Sequence, residues 1–156
     1  MGVPLHFGID GISLFFVLLT TILTPVCIST STVNKQAPLF SAVFLFMEAL
    51  LIAAFCAVDM ITFYVFFEGV LIPMFILIGV WGSRSRRIRA AYYLFYYTLV
   101  GSIFMLIGTL YIYSELGTTS VYALHAHQFS PLEETVLWPL LFIAFAVKVP
   151  MMPFHV

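Results

Sequence analysis

The chain has 156 residues, 63% of them hydrophobic and 8% charged, with a formal net charge of −1 at pH 7. Soluble domains carry about 25% charged residues, so this composition excludes an ordinary soluble fold, and the near-neutral balance excludes long-range attraction to nucleic acid. The expected fold is all-α, a polytopic bundle of about five membrane-spanning helices.

Runs of about 20 apolar residues mark the spans. They are read at about Gly11–Ile28, Pro38–Ala57, Met60–Trp81, Ala91–Tyr113 and Thr135–Pro150. The first run lacks a basic leader and has full spanning length, so it reads as a helix and not as a cleaved signal. Its Ser13, Thr20 and Thr24 read as small polar contacts between helices. A tight turn at Val58-Asp59 joins the second span to the third. The fourth carries Thr98, Ser102 and Thr109 at i, i+4 and i+11 on one face, with Gly101 and Gly108 beside them. Small residues on one stripe permit close helix packing, and packing is the preferred reading over proton relay.

The stretch SELGTTSVYALHAHQFSPLEE between the fourth and fifth spans is the one long polar segment. Its His125 and His127 lack a third ligand at a metal spacing, so no metal site is read there. The fifth span is short because Pro150 and Pro153 interrupt it. Cys27 and Cys56 lie in separate apolar runs without CxxC spacing and read as reduced thiols. The sequence holds no dinucleotide fingerprint, phosphate loop or iron–sulfur spacing, so no cofactor is expected in this chain.

Loop charges orient the bundle. Helices alternate in direction, so Lys35 shares a side with Arg84, Arg86, Arg87 and Arg89. The opposite side carries Asp10, Asp59, Glu115, Glu133 and Glu134. By the positive-inside rule, the arginine loop faces the cytoplasm or the mitochondrial matrix. SRSRRIR is therefore read as a topological signal, in preference to a nucleic-acid or lipid-binding patch.

Three ionisable residues remain inside the spans. At a rise of about 1.5 Å per residue, Glu68 lies about 12 Å below Met60, Glu48 about 13 Å below Ala57, and Lys148 roughly 20 Å along from Thr135. A charge at mid-membrane costs about 2.5–3.5 kcal/mol on insertion scales, so each is a candidate functional group whose partner should be named. Glu68 and Lys148 are an acid and a base on separate helices, which fits proton transfer; a static ion pair pinning the bundle is the alternative. Glu48 has only its depth in its favour and reads equally as a protonated, hydrogen-bonded acid. Pro73 cannot donate to the Gly69 carbonyl, and Pro150 and Pro153 are expected to free those of Ala146 and Val149. Freed carbonyls at that depth must face protein or water.

FYVFFEGVLIPMFILIGVWGSR, YYLFYYTLVGSIFML and FIAFAVKVPMMPFHV together resemble the subunit 4 family of respiratory NADH:ubiquinone oxidoreductase. FGIDGISLFFVLLTT at the start fits the same family, whose wider circle includes subunits of cation/proton antiporters. The resemblance implies a proton-pumping membrane subunit of the mitochondrial inner membrane. In it, Glu68 and Lys148 match a pair whose association and separation gate proton transfer. His155 matches a histidine just past the broken helix.

Family members hold two inverted five-helix repeats. The chain thus corresponds to helices three to seven, with a second polypeptide or further segment expected to complete the subunit. Other membrane-arm subunits and membrane lipids are the expected partners. NADH, flavin, iron–sulfur clusters and ubiquinone would be handled by other subunits. An antiporter subunit moving sodium, or a structural segment without transport, are the rival readings.

Overall fold

The structure, a computed structural model, describes residues 6–31, 36–83 and 85–152. Within them the fold is all-helical: α1 (Gly11–Thr30), α2 (Ala37–Phe55), α3 (Met60–Gly69), α4 (Leu71–Trp81), α5 (Arg87–Leu116), α6 (Val121–Ala126) and α7 (Pro131–Lys148). Among the described residues four stretches are long and apolar enough to cross a membrane: α1, α2, α3 taken together with α4, and α5. The fifth expected span, α7, opens with Glu133 and Glu134 and closes on Lys148, so its uncharged stretch is short.

Side-chain pairings show that neighbouring helices run antiparallel. Phe16 near the start of α1 stacks on Phe55 at the end of α2, and Phe40 at the start of α2 meets Trp81 at the end of α4. Gly101 of α5 faces Val147 of α7, while Gly108 faces Leu140 and Leu141. One end of the bundle thus gathers Arg87, which donates to the Gly82 carbonyl at 3.2 Å. The other gathers Asp59 and the residues around Thr119.

Burial is inverted relative to a soluble protein. α1 exposes Ile12, Phe15, Ile22 and most of its other large apolar side chains, and buries Thr24 alone. The best-buried groups include Met105, Thr109 and Ile112 of α5, Ala144 and Ala146 of α7, Thr62 of α3 and Pro73 of α4. Apolar solvent surrounds such a bundle, so small and hydroxyl-bearing residues go to helix contacts and large apolar ones face outward.

Several boundaries differ from the sequence reading. α5 runs beyond Ala91–Tyr113 at both ends, because apolar content marks the hydrocarbon layer while the hydrogen-bond ladder continues past it. It stops at Gly117, whose φ of 68° ends the helix in the left-handed region. α7 begins a turn earlier than Thr135, with Pro131 in its first turn. Its start is set by a capping box in which Glu133 N–H donates to Ser130 Oγ and Ser130 N–H donates to Glu133 Oε2. The polar connection folds in part into α6.

Candidate functional site

The third span is broken at its centre. α3 ends at Gly69 and α4 starts at Leu71, although Val70 between them keeps helical angles (φ −59°, ψ −24°). Pro73 is the cause: it has no N–H for Gly69, and its ring crowds the preceding turn. The break makes a helix C-terminus in the middle of the bundle, with carbonyl oxygens pointing along the axis.

Glu68 sits one residue before this terminus. Both its carboxylate oxygens are buried and have no hydrogen-bond partner. Lys148, the last residue of α7, reaches across to the same place. Its Nζ donates to the Phe67 carbonyl at 2.8 Å and stands 3.3 Å from the centre of the Phe67 ring. Lysine and glutamate feel each other electrostatically without a hydrogen bond between them. The dipole explains this preference. A cation is favoured at the carbonyl end of a helix, and a carboxylate is disfavoured there.

The supporting shell is aromatic and polar by turns. The rings of Phe63, Phe67 and Phe145 form a cluster with centroids 5.0–6.4 Å apart. Phe145 lies three residues before Lys148, on the same face of α7. Tyr64, one turn before Glu68, approaches Ser102 of α5. Glu48 is half-buried on α2, and Leu50, two residues on, is the side chain nearest Gly69. Glu48 therefore stands within a helical turn of the Glu68 level. His155 and Pro153 lie outside the described residues.

One expectation is corrected. The Ala146 carbonyl, expected to be freed by Pro150, accepts the Met151 N–H at 3.0 Å, because a wider turn replaces the bond that proline cannot make. The hydroxyl stripe on α5 is occupied locally as well. Thr98 donates to Leu94, Ser102 to Leu99 and Thr109 to Met105, each to a carbonyl of its own helix. Among the described residues no group of three or more potential ligands could hold a metal, and Cys27 and Cys56 are free thiols.

Residues 57–156 match the family model described as NADH:quinone oxidoreductase/Mrp antiporter, TM. The chain belongs to this family. Among its relatives, NADH-ubiquinone oxidoreductase chain 4 of Marchantia polymorpha is 51% identical over 99% of this chain and 32% of its own length. That of Arabidopsis thaliana is 52% identical with the same coverage. The fold matches a chain in the structure of respiratory complex I from Thermus thermophilus with bound NADH, at a TM-score of 0.82 and 33% identity. That match covers 96% of this chain and 32% of the other. The chain thus spans about a third of the length of the relatives it matches, and the resemblance to the subunit 4 family holds along nearly all of it.

Within this family member, three contacts escaped sequence reasoning. Phe67 looked like one more apolar residue, and nothing in its spacing marks it as the seat of Lys148. The Tyr64–Ser102 contact joins helices whose register the sequence does not state. The third is a clasp at the acidic end. Buried Asp59 caps α3, its Oδ2 accepting from Thr62 N–H and Oγ1 at 3.3 Å, while its Oδ1 accepts from Thr119 Oγ1 at 2.5 Å. Met60 N–H to Thr119 O (3.0 Å) and Val121 N–H to Val58 O (3.1 Å) complete it, and Gly8 N–H to Cys56 O (2.8 Å) ties in the chain start. Asp before Met60, with Thr three positions on, is an N-cap signal visible in sequence. Thr119, sixty residues away, is not.

Proposed function

We propose that the chain is part of a proton-translocating membrane subunit of respiratory NADH:ubiquinone oxidoreductase in the mitochondrial inner membrane. Glu68 and Lys148 form its transfer pair. One observation carries this reading: a buried carboxylate without a hydrogen-bond donor lies one residue from the carbonyl that holds the lysine. A swing of the Lys148 head from that carbonyl to the carboxylate would stabilise the ionised acid. Its return would favour a proton on Glu68. A redox event in other subunits would bias that swing, with NADH, flavin, iron–sulfur clusters and ubiquinone bound there. The rest of the subunit and neighbouring membrane-arm subunits would extend the path beyond these helices. His155 and Glu48 are proposed as secondary stations.

The family also includes cation/proton antiporters, and an antiporter would use the same pair without a redox partner. Relatives about half identical to this chain and named as oxidoreductase chains favour the first reading. The test is NADH-driven proton transport in membranes holding the assembled complex with Glu68→Gln or Lys148→Met. Loss of about a hundredfold, the lower range for removing a positioned acid or base, is expected. Parental transport in both variants would leave a structural role only, and transport that follows sodium would favour the antiporter.

A further inference from the structure

We propose that Phe67 is a positioning residue: its carbonyl and ring together form the seat in which Lys148 rests when it is away from Glu68. The inference rests on the transfer-pair reading and adds the second station that such a pair requires. A lysine that leaves a carboxylate inside a membrane cannot be left without partners, since an unpaired charge at that depth is costly. Phe67 supplies two partners from one residue. Its carbonyl lies at the break in the span and accepts Nζ at 2.8 Å, while its ring face lies 3.3 Å from Nζ. The negative face of an aromatic ring attracts an ammonium most strongly where water is excluded. The ring packs against those of Phe63 and Phe145, which also meet each other. Phe67 adjoins Glu68 in the chain, so the two stations are one residue apart, and the charge of Glu68 already acts on the lysine in its seat.

Proton transport in membranes carrying the assembled complex tests the seat. Phe67→Leu keeps the carbonyl and most of the apolar bulk but removes the ring, and Phe67→Tyr keeps both. Phe67→Leu should reduce transport about thirtyfold at equal complex content, the effect of losing a desolvated cation–π contact, while Phe67→Tyr stays near the parent. Phenylalanines of increasing fluorination at position 67 keep the shape and weaken the ring face, so transport should fall stepwise along that series. The fluorinated series also decides the matter if Phe67→Leu does not assemble. Parental transport in Phe67→Leu, equal losses in Leu and Tyr, or indifference to fluorination would each overturn the seat. Glu68→Gln and Lys148→Met in the same membranes separate the two ideas. If these are silent while Phe67→Leu is normal, only the seat fails. If they transport normally, the pair itself fails.

Discussion

Two of the polar regions among the described residues of this bundle are built in opposite ways. On the packed face of α5, which includes its seam with α7, the hydroxyls of Thr98, Ser102 and Thr109 are buried and each donates to a carbonyl of its own helix. At the break between α3 and α4, Glu68 is a carboxylate whose buried oxygens have no donor, beside a lysine that has taken a backbone carbonyl. Hydroxyls satisfied within one turn cost little and let helices approach closely, so they serve packing. A carboxylate left without donors has no packing benefit to offset its desolvation. Polarity at mid-membrane is thus a poor marker of function by itself; an unmet hydrogen-bonding demand is a better one.

The sharpest way to break this comparison is to neutralise one group on each side of it. Glu68→Gln should abolish proton transport in the assembled complex, while Thr109→Val, near-isosteric and in the seam, should leave transport at the parental level. Equal losses in the two variants, at equal complex content, would show that the seam carries protons too.

The seam has its own sensitive point. A β-carbon on Gly101 would lie 2.8 Å from the Val147 Cβ, and that atom cannot rotate away. Gly101→Ala should force α7 outward next to Lys148 and cost about 1–3 kcal/mol, as overpacking commonly does. Thermal unfolding of the purified membrane protein reads the loss. Measured against Val147→Gly alone, which removes the opposing atoms, adding Gly101→Ala should cost little, so that a double-mutant cycle recovers most of the loss. Failure to recover would place the strain elsewhere than this contact.

These two regions were not equally legible in the sequence. The four long apolar stretches, the Val58-Asp59 turn and the position of Glu68 within an apolar run and of Lys148 at the end of one follow from hydropathy and the rise of a helix, because spans and their charges are local properties. The stripe on α5 was legible as packing, since glycine beside threonine at helical spacing says small and close. The early start of α7 was missed even though Ser130 and Glu133 spell a capping box, because hydropathy weighs the two glutamates against the helix. Lys148 on Phe67, Tyr64 on Ser102 and Asp59 on Thr119 depend on which helices meet and at what register. A single sequence carries that information only through the whole packing. The Ala146 carbonyl was misjudged for a different reason: a proline removes one donor, but the chain can supply another from one residue further on.

Glu48 sharpens the comparison from its middle. It shares the level of Glu68, yet it lies on α2, which is unbroken at that point and offers no freed carbonyl or nearby lysine seat. Glu48→Gln should therefore retain most of the proton transport that Glu68→Gln loses, measured in the same membranes. A loss equal to that of Glu68→Gln would make depth, and not the break, the deciding property.

The smallest effect is expected at the start of α7, outside the membrane. Hydrogen bonds from the Ser130 backbone and hydroxyl hold the exposed Glu133 carboxyl below its ordinary value of 4.5, with His127 and Tyr111 adding to the effect. A carboxyl lowered in the fold contributes stability above its unfolded value and loses it as pH falls through the folded value. The first turn of α7 should then be fully protected at neutral pH and open only below the usual carboxylate range. Amide hydrogen exchange at Glu133 and Glu134, corrected for its intrinsic pH dependence, measures this. Ser130→Ala removes the hydroxyl that caps the Glu133 N–H and should raise exchange there about fivefold at neutral pH, as loss of an N-cap does. Proton transport should not change, because Lys148 is held at the far end of α7 by Phe67 and not by the cap. If fraying at Ser130 did lower transport, α7 would be acting as a lever along its whole length, and the break in the third span would no longer account for the site by itself.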